Sequence, residues 1–142
     1  MNGKNVSKEI RKEAVGNMAS KVATKQDVRD KLLSLQRNLA VTQDVVMDGR
    51  DIGTFVLPNA DLKIYLTASV DTRAGRRYKE LVEKNMPADL EEIKKDIEAR
   101  DYQDMHREIA PLSQAEDAYY LDSSDLTIDE VVDIICSKIP ES

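Results

Sequence analysis

Two carboxylates, a guanidinium and two glycines follow a short apolar run: Val45, Val46 and Met47 lead into Asp48, Gly49, Arg50, Asp51 and Gly53. Such a cluster can be a polar turn. It can also be the lip of a binding crevice, because open α/β sheets bind ligands at the carboxyl ends of their strands. A second signal lies further on. Leu90, Ile93 and Ile97 form an apolar helical stripe, and its continuation reaches Arg100, Asp104 and Arg107. A solvated ion-pair ladder stabilises a helix by about 0.2–0.5 kcal/mol per pair, but normally lies opposite the apolar stripe. Placed on the stripe's extension, these charges are directed into a cleft. A third group, Arg73, Arg76 and Arg77, shares one face near the start of another helix. Basic side chains there oppose the helix dipole, and a nearby anion would relieve the conflict. An exposed basic face is the alternative.

These clusters bound the ligand. Six of the nine arginines lie between Arg50 and Arg107, in a chain whose net charge is −6. The overall acidity argues against a nucleic-acid polymer, and the local arginines point to a small anion. Other chemistries find no support. The phosphate-loop pattern G-x-x-x-x-G-K-[ST] is absent. His106 is the single histidine and has no cysteine or histidine at ligand spacing, so it reads as an ordinary polar helix residue and no metal site is expected. The single cysteine, Cys136, excludes a disulfide framework and falls in the apolar pattern of the last helix, where a buried structural thiol is expected. No run approaches membrane-spanning length and no signal peptide is recognisable, so a cytoplasmic protein without membrane contact is expected.

The elements that must position these residues can be read in order. At 142 residues, with 41% apolar and 34% charged residues, the chain is one domain able to bury a core. With one Phe, five Tyr and no Trp, aliphatic side chains must carry that core. A short helix is expected over 14–23. Thr24 then reads as an N-cap, and Val28, Leu32, Leu35 and Leu39 mark an amphipathic helix. Val45–Met47 reads as a short buried strand, and Pro58-Asn59 as a turn. Leu62, Ile64 and Leu66 alternate with Lys63, Tyr65 and Thr67, a second strand. Ser69 caps a helix from Val70 to about Lys84, which Asn85-Met86-Pro87 breaks. A long helix follows from about Leu90 to about His106, and Pro111 ends that region. Tyr119–Leu121 reads as a third strand. Thr127 and Glu130 form a capping box for a last helix whose apolar face is Ile128, Val131, Val132 and Ile135. Strands that alternate with helices imply an α/β protein with a parallel sheet, flanking helices and right-handed crossovers.

Taken together, "VVMDGRDIGT", "LPNADLKIYLTAS", "RRYKEL", "RDYQDMHREIAPL" and "YYLDSSDLTIDEVV" resemble bacterial cytidylate kinase, as does the earlier "NVSKEIRKEAVGNMASKVATKQDVRDKLLSLQR". The resemblance covers essentially the whole chain, with the motifs in family order. It implies a P-loop nucleoside-monophosphate-kinase fold and transfer of the γ-phosphoryl group of ATP to CMP or dCMP, with ATP and Mg2+ as the family's cofactors. By resemblance, Asp51 contacts the cytosine base, and Ser20 and Arg29 supply donors to its acceptors. Arg50, Arg100 and Arg107 match arginines that bind the CMP phosphate. Asp104 matches the residue that holds the ribose hydroxyls, and Arg73 and Arg77 lie where a lid meets the core and are expected to steady the transferring phosphate. The glycines Gly49 and Gly53 are expected to let the backbone bend beside the base-reading and phosphate-gripping residues.

The family opens with a strand, a P-loop and its helix, which have no counterpart here. The resemblance therefore implies the C-terminal portion of such a kinase. Residues 1–43 would be the remainder of the monophosphate-binding region and the helix after it. Residues 44–142 would hold core strands, a lid region at about 78–107 and the C-terminal helix. Three readings follow: an enzyme represented by its acceptor and lid portion; a CMP-binding product that transfers nothing by itself; and an interaction protein that self-associates through exposed sheet edges.

Overall fold

A computed structural model of the chain describes residues 5–7, 9–11, 13–23 and 25–140. They fall into two compact units, Met1–Val46 and Met47–Ser142.

The first unit is helical. A three-residue turn at Glu9–Arg11 precedes α1 (Glu13–Val22) and α2 (Gln26–Thr42). The expected cap Thr24 lies outside the described residues. The N-cap position of α2 is taken by Lys25, which supplies no side-chain cap. Leu32, Leu35 and Leu39 do lie along one stripe of α2, but each is about half exposed and no residue of that helix is buried.

In the second unit, β1 (Ile64–Thr67), α3 (Val70–Glu83), α4 (Leu90–His106), β2 (Tyr119–Asp122) and α5 (Ile128–Cys136) follow one another. β1 and β2 pair in parallel, Ile64 opposite Tyr119 through Thr67 opposite Asp122. A parallel pair needs a long crossover, and α3 and α4 supply it. The ladder continues past both ends, with Tyr119 N donating to Lys63 O (2.9 Å) and Ser123 N to Thr67 O (2.8 Å). On one face, the rings of Tyr65 and Tyr120 stack with centroids 5.9 Å apart.

Local chemistry sets the helix limits. The hydroxyl of Ser69 accepts from Thr72 N and opens α3. Asn85, in the left-handed region at φ 53°, ends it, a conformation asparagine tolerates better than most residues. Asp89 caps α4 by accepting from Glu92 N. Thr127 and Glu130 cap α5 reciprocally, the capping box read from the sequence. Arg73 on α3 makes a two-point contact with Asp101 on α4 (3.0 and 2.6 Å), and Lys94 on α4 pairs with Asp71 on α3 (2.7 Å).

The buried apolar set among the described residues is small: Val56, Ala68, Ala74, Leu81 and Leu121. Several expectations are corrected here. Residues 45–47 are not a strand, and Val46 is fully exposed. An extended segment becomes a strand only by sharing a ladder, and among the described residues β1 and β2 pair only with each other. The sheet therefore has two strands among the described residues rather than three. The alternation expected in β1 is also inverted in part: Leu66 is exposed and Lys63 is buried. On α5, Ile128 and Val132 are exposed, so the apolar face is only partly covered. Cys136, expected to be a buried thiol, is exposed for the same reason.

Candidate functional site

The polar segment that follows residues 45–47 turns back on itself. Residues Ile52–Val56 form a wide helical turn, anchored by the carbonyl of Asp51, which accepts from Phe55 N (2.9 Å) and Val56 N (3.1 Å). Neither Gly49 nor Gly53 lies in the left-handed region, so conformational freedom is not why glycine stands there. Space is the reason at Gly49, where a Cβ would lie 2.8 Å from Cγ1 of Ile52. Gly49 thus serves close packing rather than the expected bend.

Arg50 and Asp51 meet the end of α4 in a crossed pair. Nε of Arg50 donates to Oδ2 of Asp104 at 3.1 Å. Asp51 Oδ1 lies 3.8 Å from Nη2 of Arg107, three residues beyond Asp104. Arg100, one turn earlier, brings its Nε to 3.9 Å from the same Asp104 oxygen. Asp104 is only 4% exposed. The apolar stripe of α4 does continue into a buried carboxylate, as the spacing predicts. Arg107 stands at the C-cap, with its side chain 10% exposed. Its Nε donates to Ala110 O (2.6 Å), a carbonyl aimed back by the left-handed Ala110 at φ 46°. The Nη2 atom of Arg107 is buried without a hydrogen-bond acceptor.

The way each guanidinium is held divides the arginines. Arg50, Arg100 and Arg107 are each held through Nε, and no hydrogen bond from their terminal nitrogens is found among the described residues. Arg73 commits both terminal nitrogens to Asp101 and its Nε to Ala68 O. Arg76 gives both terminal nitrogens to the Ser123–Leu126 loop. Arg77 gives one to Glu80 on its own helix (2.8 Å). Thus Arg73, Arg76 and Arg77 do not act as one basic face. Glu80 also accepts from Lys84, and these two cations bring its carboxyl down to about 2.

The other expected site residues lie in the first unit. Ser20 is in α1, and Arg29, in the first turns of α2, donates to Ala23 O (3.3 Å). His106 is exposed, stacks on Tyr102 and pairs through Nδ1 with Tyr102 O, an ordinary helix contact. Among the described residues, no three His, Cys, Asp or Glu side chains gather as a metal set. No helix there is long and apolar enough to cross a membrane.

Sequence reasoning missed Lys63. Its ammonium is buried and reaches both oxygens of Asp117 (2.8 and 2.7 Å) and the carbonyl of Pro58. The lysine holds the Asp117 carboxyl below its usual range. A partner 54 positions away leaves no local signal in the sequence.

Comparison with known proteins adds to this geometry. A family profile described as cytidylate kinase matches residues 1–141. Cytidylate kinases of Streptococcus pneumoniae strains Hungary19A-6, JJA and Taiwan19F-14 are each 58% identical to this chain over 126 residues. The match covers 89% of this chain and 56% of each relative, so the chain spans little more than half the length of those proteins.

Proposed function

The chain belongs to the cytidylate kinase family, and we propose on that premise that its second unit forms the acceptor side of a site where the γ-phosphoryl group of ATP passes to CMP or dCMP. One observation carries this reading: Arg50 and Arg100 face the Asp104 carboxylate through Nε, Arg107 faces Asp51 through Nη2 at ion-pair distance only, and no hydrogen bond from the terminal nitrogens of the three is found among the described residues. A phosphate dianion is the complementary ligand, since guanidinium nitrogens grip such oxygens by charge-assisted hydrogen bonds.

Each role is the one the family resemblance implies, and its chemistry suits it. Phosphoryl transfer asks a protein mainly to position reactants and neutralise charge. Arg50, Arg100 and Arg107 take the CMP phosphate. Asp104, already fixed by two of them, accepts from the ribose hydroxyls. Asp51 accepts from the cytosine N4 amino group, the pairing expected for a carboxylate. Uracil presents a carbonyl there and is repelled. Arg73 and Arg77 belong to the lid and donor-phosphate side, where Asp101 and Glu80 hold them until an anion competes.

ATP and Mg2+ supply the donor group and its charge neutralisation when bound. The described residues offer no carboxylate set for the ion, and the 142 residues hold no G-x-x-x-x-G-K-[ST] loop. We therefore assign the donor phosphates no cradle in this chain and expect it to bind CMP without detectable transfer by itself. The alternative, an inactive self-associating protein, draws on the two-stranded sheet, whose Leu66 and Tyr120 are exposed. Calorimetric titration with CMP tests the reading. Saturable binding that is weakened by Arg50→Ala, Arg100→Ala and Arg107→Ala is expected, and no binding at millimolar CMP overturns it.

A further inference from the structure

We propose that Lys63 is a positioning residue, which fixes the strap carrying Arg50 and Asp51 to the sheet. This rests on the acceptor-site reading above only for its effect on CMP. The strap is the segment from Gly49 to Pro58, and Lys63 touches it at two places. A Cβ on Gly53 would lie 3.5–3.8 Å from three carbons of the Lys63 stem, so the strap's backbone lies directly against that stem. At the strap's far end, the Lys63 ammonium donates to Pro58 O. The same ammonium is tied to Asp117, just ahead of β2, and the Lys63 carbonyl accepts the first ladder bond from Tyr119 N. One residue thus joins the middle and the far end of the strap to both strands.

Burial of this ammonium is what makes the tie directional. A buried cation needs its partners, because leaving it unpaired is costly. Pro58 O and the Asp117 carboxylate are therefore held where Nζ can reach both. The first contact lies within the wide turn Ile52–Val56, which is anchored on Asp51 O through Phe55 N and Val56 N. Movement of that turn moves the peptide that carries Asp51, and with it the crossed pairing of Arg50 with Asp104 and Asp51 with Arg107. Small misplacements of binding groups cost large factors in recognition.

The test uses Lys63→Met in the full chain, which keeps the stem against Gly53 and removes the ammonium. Two readouts are taken. Amide hydrogen exchange should show lost protection at Phe55, Val56 and Leu57, with Leu121 and Ser123 in the sheet unchanged. CMP affinity should fall by about tenfold or more, and UMP affinity should fall less. In an Arg50→Ala, Asp51→Ala background, Lys63→Met should change CMP affinity little further, whereas a merely structural role would add its full effect. Unchanged protection of the three strap amides overturns the proposal whether or not CMP binds. Uniform loss of protection through the sheet overturns it as well. Failure of the wild-type chain to bind CMP counts against the acceptor-site reading alone, and leaves the exchange result to decide on Lys63.

Discussion

Oδ2 of Asp104 accepts from Nε of Arg50 at 3.1 Å, across 54 positions of sequence. The carboxylate is buried, whereas the Arg50 side chain is 44% exposed. The pair therefore joins a fixed acceptor to a donor that still reaches water. Partial exposure on one side screens the attraction, so its contribution to stability is modest. Asp104→Asn should cost about 1 kcal/mol in urea denaturation and should weaken CMP binding far more than that figure implies. A loss of stability with unaltered CMP affinity would remove Asp104 from the ligand site.

Base choice is tested at Asp51. Asp51→Ala should weaken CMP binding by roughly 1–3 kcal/mol, the range of a buried hydrogen bond to a charged group, and should weaken UMP binding less. Calorimetry with both nucleotides decides this. Equal losses would mean that Asp51 acts only by steadying Arg107.

Gly49 offers a packing test. Gly49→Ala places a methyl group 2.8 Å from Ile52 Cγ1, and overpacking of this kind typically costs about 1–3 kcal/mol. Adding Ile52→Ala should recover part of that loss. Thermal denaturation of the single and double variants measures it, and a fully stable Gly49→Ala would show that the turn yields freely.

Acid should destabilise the fold in a defined window. The Glu80 carboxyl, ordinarily near 4.5, is brought to about 2 by Lys84 and Arg77. Asp117, Asp122 and Glu130 are lowered as well, by Lys63, Ser124 and Thr127 respectively. A group lowered on folding adds stability that is present above its unfolded value and lost as pH falls through its folded value. The melting temperature should thus fall between pH 4.5 and pH 2, and Glu80→Gln should make that fall shallower. Identical pH profiles for the two proteins would contradict the assignment.

Self-association is the remaining expectation. Each strand of the two-stranded sheet pairs on one side only among the described residues, and an open edge is a template for another chain. Light scattering should give a mass that rises with concentration. A strictly monomeric mass at high concentration would dismiss the idea.

Much of this architecture is legible where the determinant is local. The limits of α3 follow from Ser69 and Asn85, and the start of α5 from Thr127 and Glu130, because caps act within one turn. The buried end of α4 is legible because Asp104 keeps the spacing of Ile93 and Ile97. Non-local determinants are not legible in the same way. Whether residues 45–47 pair depends on a neighbouring strand, and three apolar residues cannot specify one. The burial of Lys63 depends on Asp117, and the crossed pairing depends on how the strap meets α4. The exposure of Cys136 is not legible either, because an apolar helical pattern states what could be covered, not what is.

The stacked Tyr65 and Tyr120 belong to different strands, and the chain has no tryptophan to mask tyrosine signals. Two rings held 5.9 Å apart at a fixed tilt couple optically. The near-ultraviolet circular dichroism of this protein therefore carries a contribution from the β1–β2 pairing beside that of its other three tyrosines, an intrinsic reporter that needs no label. Loss of that contribution would report separation of the two strands.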